Sequence, residues 1–209
     1  MTHPTDFILI KAKLSPAAVP TVAAATPQWC ALSLIPMTLH RSAWSADTQT
    51  LYLYTRLNQR TELSDTTLPT LASAFAQACP QALDISVARL ENVFTRVGTS
   101  HAQATAFHYV VETDPENGWA DEIARWYDTE HMPGLAAVPG CILAMRLLNH
   151  DHSPGSPVFL SCYDLVSPDV LGSPEWLAVR HTAWSDTARP HFTNTLRTMF
   201  KAIDTPALH

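Results

Sequence analysis

The chain has 209 residues, 46% hydrophobic and 15% charged, with a formal net charge of −6 at pH 7. This is the composition of a folded globular protein, and it excludes intrinsic disorder, which needs more charge and fewer apolar residues. Thirteen scattered Lys and Arg residues argue against nucleic acid and membrane surface as partners, because both require clustered cations.

No apolar run approaches the roughly 20 residues that span a bilayer. The opening MTHPTDFILIKAKL lacks a positively charged start and reads as a strand, not a signal peptide. The four cysteines, Cys30, Cys79, Cys141 and Cys162, include no C-x-x-C pair and sit in apolar surroundings. They read as buried free thiols in a reducing compartment, so a cytoplasmic location is expected.

In chain order, residues 6–14 read as a strand and 15–26 as a short helix interrupted by Pro20. Residues 30–40 and 50–57 read as a strand pair, 67–83 as a helix and 85–94 as a closing strand. The order recurs in the second half. A strand over 104–113 is followed by a helix from Glu116 to about Val138, then strands over 141–150 and 157–166. A helical region from about Ser173 and a strand over 195–203 complete it. Each half is thus β-α-β-β-α-β, the split βαβ unit.

Val22–Cys30 also aligns weakly, with one insertion, on Leu135–Cys141. One such unit leaves a sheet face uncovered, and pairing two sheets solves this. The expected architecture is α+β: two fused units, 1–98 and 104–209, joined by Gly98–Gln103 and forming an intramolecular barrel. Such a chain is expected to be a monomeric pseudo-dimer or a homodimer.

The densest chemistry is ARWYDTEHMPGLAAVPGC, Ala124 to Cys141. Helical spacing places Ile123, Tyr127, His131 and Leu135 on one stripe and Trp119, Ile123, Trp126 and Glu130 beside it. Asp121, Glu122, Arg125 and Asp128 fall on the solvated side. His131, in the last turn before Pro133-Gly134, is either a cation favoured by the helix dipole or a general acid or base at an apolar cavity. Ligands spaced for one helix face are missing, so no metal is expected.

Other candidates lie further along the chain. Trp176, Trp184 and His191 occupy 173–192, Arg146 and Tyr163 lie on the central strands, and His108 alternates with Phe107 and Tyr109 on a strand. G-x-S-x-G, Walker A, G-x-G-x-x-G and H-E-x-x-H patterns are absent.

Trp126-Tyr127-Asp128-Thr129-Glu130-His131-Met132-Pro133, with Leu135-Ala136-Ala137-Val138-Pro139-Gly140, resembles the W-Y-D-x-E-H-x-P and L-x-x-V-P-G motifs of EthD-like members of the dimeric α/β-barrel superfamily. The runs Tyr163-Asp164-Leu165, Pro168–Leu171, Trp184-Ser185 and Arg189–Phe192 fit the same group. The resemblance covers about residues 104–203 and implies a ferredoxin-like fold, with the first half a degenerate copy assigned by pattern alone. It also implies a small-molecule substrate and a pocket histidine that handles protons.

Three activities follow as expectations. The first is a cofactor-free lyase, isomerase or cyclase acting on a small hydrophobic carbonyl or phenolic compound. His131 is then the base, Tyr127 and His191 position the substrate, and Arg146 steadies an enolate or carboxylate. Trp126, Trp176 and Trp184 line the pocket, with Tyr163 and His108 as further lining residues. The second is a cofactor-independent or haem-dependent monooxygenase on the same fold. The third is a non-catalytic small-molecule binder.

Overall fold

The computed structural model describes residues 1–32 and 35–203; Ser33 and Leu34, within the strand expected over 30–40, lie outside the described residues. The chain divides into two compact units. Among the described residues, unit 1 is Met1–Asn92 with Asn149–Asp151 and 200–203; unit 2 is Val93–Leu148 with His152–Met199.

In unit 1 the elements are β1 (Thr2–Lys13), α1 (Val19–Leu32), β2 (Met37–Ser45), β3 (Thr50–Ser64), α2 (Thr67–Ala78) and β4 (Leu83–Val97). The sheet runs β4-β1-β3-β2, antiparallel, with Ile8 opposite Thr55 and Phe7 opposite Leu90. Alternation along β1 sends Ile8 and Ile10 into a core with Leu51, Leu53, Trp29 and Phe75. Trp29 meets Phe75 edge to face, which joins α1 to α2.

Two expectations fail at α1. Pro20 does not interrupt it but stands at its second position, where no backbone N–H is needed. The alanine-rich helix then continues to Leu32, so residues 30–32 are helical and the next strand begins only at Met37. The alignment of Cys30 on Cys141 is not kept either, since Cys30 is helical and Cys141 opens a strand.

Unit 2 contains β5 (Phe107–Pro115), α3 (Ala120–Trp126), a π-helical turn (Tyr127–His131), α4 (Met132–Ala136), β6 (Cys141–Asn149) and β7 (Phe159–Leu165). Then come α5 (Pro174–Arg180), α6 (Ala183–Ala188) and β8 (Phe192–Ala202). The sheet order β8-β5-β7-β6 puts the fourth strand beside the first and the third between first and second, as in unit 1. Both units therefore show the strand order of the split βαβ pattern.

The segment Gly98–Gln103 is fastened to unit 2. Gly98, Thr99 and Ser100 donate backbone hydrogen bonds to Ile142, Ala136 and Cys141. A Cβ on Gly98 would lie 2.2 Å from the Cys141 carbonyl oxygen, so only glycine allows this approach. All four cysteines are buried and free. Among the described residues no helix is long and apolar enough to cross a membrane.

Candidate active site

The single helix expected from Glu116 to Val138 is three pieces, and the middle one builds the site. Pro133 lacks the N–H that an α-helix would give to Thr129, and its ring would crowd that carbonyl. The turn before it widens instead, and Met132 N–H bonds back five residues to Tyr127 O. Helical backbone then continues through Pro133 and Gly134 to Ala136, so His131 is not at a helix terminus and the dipole reading of it lapses.

Widening changes which side chains meet. Spacing of four paired Trp126 with Glu130; spacing of five brings His131 onto Trp126, with ring centroids 4.2 Å apart. Tyr127 meets the same imidazole edge to face at 5.6 Å. Two polar contacts fix the turn. Arg146 on β6, its side chain 5% exposed, makes a two-point contact with Asp128: Nε to Oδ1 at 2.9 Å and Nη2 to Oδ2 at 2.7 Å. On the other side, Thr182 donates its hydroxyl to Glu130 at 2.5 Å while capping α6 through Ser185 N–H.

Beside this turn lies a cavity of about 40 Å³ lined by Trp126, Tyr127, His131, Tyr163 and Trp176, with Tyr109, Val111, Leu135 and Phe192. Arg180, Arg189 and Arg197 complete its wall. Trp176 and Arg180 reach it together because they are one turn apart on α5, whose start is capped by Ser173. Gly134 lets α5 come close, since a Cβ there would lie 2.8 Å from Val179.

Burial dominates the electrostatics. His131 is 8% exposed, and its Nδ1 and the Nε1 of Trp126 are buried without a hydrogen-bond partner among the described residues. Burial, reinforced by the positive fields of Arg189 and Arg180, pushes the imidazole down to about 3, so it is neutral near pH 7. Burial raises the Tyr127 phenol to about 12 and Tyr163 well above its ordinary value. Neither phenol ionises near neutrality, and the Tyr163 hydroxyl donates to Met132 Sδ at 3.0 Å.

Of the nine residues singled out in the sequence, the fold brings five to this cavity: Trp126, Tyr127, His131, Tyr163 and Trp176. Four lie off its wall. Arg146 is committed to Asp128, which is thereby not simply a solvated residue. His191 stacks on Trp119 with centroids 3.3 Å apart and shares a hydrogen bond with Glu116. Trp184 donates to Glu122, and Arg125 lies over its ring.

His108 shows why strand parity matters. Tyr109 and Val111 face the cavity, so alternation turns His108 to the opposite face, where its Nδ1 contacts Asp164 Oδ1 at 2.7 Å. Sequence reasoning did not assign Tyr109, Phe192 or the three arginines to the site, although Arg189 and Phe192 stand in a run that fits the resemblance. The i,i+4 link from Trp176 to Arg180 was a usable signal; nothing local pointed to Arg197. Among the described residues no cluster of three metal-ligating side chains occurs.

The sequence matches no protein-family model and no curated protein. Solved structures do resemble the chain. A candidate monooxygenase from Lactobacillus acidophilus NCFM aligns with TM-score 0.62 and 11% identity, over 96% of this chain and 93% of that one. An anthrone oxidase-like protein aligns with TM-score 0.63 and 12% identity, over 95% and 91%. A variant chlorite dismutase from Candidatus Nitrospira defluvii aligns with TM-score 0.57 and 11% identity, over 95% and 92%. The likeness is one of fold alone, an α+β fold.

Proposed function

We infer that unit 2 carries the active site of a proton-transfer enzyme acting on a small carbonyl or phenolic compound with an apolar body. The observation that carries this reading is His131: a neutral, buried imidazole with an unpartnered nitrogen, held on Trp126 in the wall of an aromatic cavity. A neutral imidazole is the form that accepts a proton, though burial and the fields of Arg189 and Arg180 weaken it as a base, and three guanidinium groups in the same wall favour the anion left behind. His131 would take the proton from carbon next to a carbonyl, or from a phenolic hydroxyl, leaving an enolate or phenolate. Return of that proton at another atom completes an isomerisation or cyclisation without a cofactor. Arg180, Arg189 and Arg197 would steady the anion in place of Arg146, while Tyr127 and Tyr163 act as neutral walls.

A cofactor-free oxygenase is the second reading. The monooxygenase and anthrone oxidase-like names among the similar structures support it, as they support an enzymatic role in general. In that case the carbanion adds dioxygen to form a carbon-bound hydroperoxide, whose O–O bond breaks with loss of water to leave one oxygen on that carbon as a carbonyl.

The resemblance to EthD-like proteins and the shared strand order of the units support a chain made of two fused ferredoxin-like halves, with one site per chain and a monomer or homodimer as the working form. The decisive experiment incubates the enzyme with hydroxyaromatic ketones in D₂O and follows deuterium incorporation by NMR beside an oxygen electrode. His131-dependent exchange without oxygen uptake supports the isomerase or cyclase; uptake that stops in His131→Gln supports the oxygenase. Exchange and uptake unchanged in His131→Gln would overturn both.

A further inference from the structure

Arg180, Arg189 and Arg197 are the cations of the cavity wall, and among the described residues none of them pairs with a carboxylate. The contrast within unit 2 is sharp, since Arg125 pairs with Glu122 and Arg146 with Asp128. Among the described residues their one side-chain hydrogen bond is internal: Arg189 Nη1 donates to the backbone carbonyl of Arg180 at 3.2 Å. Burial, then the like charges of Arg180 and Arg197, hold the Arg189 guanidinium below its ordinary value, offset in part by Asp186. Three like charges in one wall, none in an ion pair among the described residues, repel one another and favour an anion placed between them.

Polarity is graded across the cavity. Its inner wall is aromatic, and among the described residues the Nε1 of Trp126 and the Nδ1 of His131 are buried without a hydrogen-bond partner. Arg197 is exposed and Arg180 and Arg189 are half-buried, so the cations lie toward solvent on long, flexible side chains. A volume of about 40 Å³ admits a group of a few atoms, the size of a carboxylate, and a larger body requires these side chains to swing outward.

We propose that this cavity recognises a carboxylate attached to an aromatic or apolar body, with Arg180, Arg189 and Arg197 as its anion-binding residues. The planar guanidinium fork matches a carboxylate through two parallel hydrogen bonds, and the aromatic wall receives the body. The proposal rests on reading this cavity as the active site, and it narrows the substrate to an aromatic or apolar acid. It also links binding to chemistry, because a carboxylate seated on Arg180 and Arg189 cancels the positive field that opposes protonation of His131. The base is then strongest when substrate is present.

The test uses the full-length protein with benzoate, its neutral analogue benzamide, and inorganic phosphate, followed by isothermal calorimetry and thermal shift. Benzoate is expected to bind and to raise the melting temperature, benzamide and phosphate to do neither. Arg189→Gln and Arg180→Gln should each weaken benzoate binding by roughly ten-fold or more; Arg197→Gln, at an exposed position, serves if either variant fails to fold. Arg125→Gln should leave binding unchanged.

Equal binding of benzamide, equal binding of phosphate, no binding of benzoate, or benzoate binding indifferent to all three arginines would each overturn the proposal. His131→Gln keeps benzoate binding under this proposal while losing turnover. Failure of the proton-transfer reading would therefore show in turnover, and failure of the carboxylate site in arginine-dependent binding.

Discussion

His131 lies over Trp126 with the two ring planes 25° apart, although the residues are five positions apart and an α-helix would have separated their faces. The stack exists because the chain widens into one π-helical turn ahead of Pro133. It places a largely buried histidine, whose Nδ1 has no partner among the described residues, against an indole whose own N–H is also unpaired there. Such an arrangement is poor for stability and suited to chemistry.

One consequence is a trade between the two. Replacing His131 with Phe, close in shape but without buried polar atoms, should stabilise the fold by about 1 kcal/mol, or roughly 2–4 °C in melting temperature for a chain of this size. Turnover should vanish in the same variant. Calorimetric melting beside the D₂O exchange assay checks both, and a strongly destabilised variant would contradict the account of His131 as an unsatisfied group.

Acid stability follows from the same residue. The folded imidazole titrates near 3, against about 6.5 when unfolded, so between these values the unfolded chain holds a proton that the folded one does not. Stability is therefore full above about pH 6.5 and falls by about 1 kcal/mol per unit as pH drops toward 3. Denaturant melts from pH 7 to pH 4 should show that slope, shallower in His131→Phe. Asp6 and Asp65, whose carboxyls are held low, Asp65 by the N-terminal ammonium and Arg89 and Asp6 mainly by Arg60, add their losses at more acid pH.

The clamps on the π turn can be separated from the cavity. Asp128→Ala leaves the Arg146 guanidinium buried without its partner and should cost about 2–4 kcal/mol, with affinity for a cavity ligand less affected than stability. Thr182→Ala removes one hydroxyl contact and a helix cap and should cost about 1 kcal/mol. Arg125→Ala, at an exposed pair, should cost under about 1 kcal/mol. Chemical denaturation of the three variants ranks them.

Gly98→Ala should be among the most damaging single changes, because the added methyl meets backbone 2.2 Å away and no flexible side chain can yield. A loss of roughly 3 kcal/mol or more is expected. Soluble expression with native-like melting would show that the Gly98 segment can shift without cost.

The element order of both units was legible in the sequence because hydrophobic periodicity and Pro-Gly-Ser turns report it directly. The length of α1 was not, since its alanine and cysteine run suits a strand as well as a helix until packing on Phe75 decides. Five site residues were found because Trp126, Tyr127 and His131 share one helical segment, Trp176 follows a clear helix start at Ser173, and Tyr163 sits on an apolar strand. Arg146 was misplaced because an arginine on a strand does not announce whether Asp128 or a ligand will claim it. Arg197 was invisible for the converse reason, as it reaches the cavity only through tertiary structure. The π turn left one local trace, Pro133, which reads equally well as a helix stop.

The unpaired arginines also bear on how quickly a ligand arrives. A chain of net charge −6 repels an approaching acid at long range, while the guanidinium cluster attracts it only at short range. Salt acts on these two fields unequally, because screening beyond about 10 Å at 0.1 M removes the repulsion first. Association of an aromatic acid should therefore quicken as salt is first added and slow again at higher concentrations, a reversal that a uniformly basic binding surface would not show.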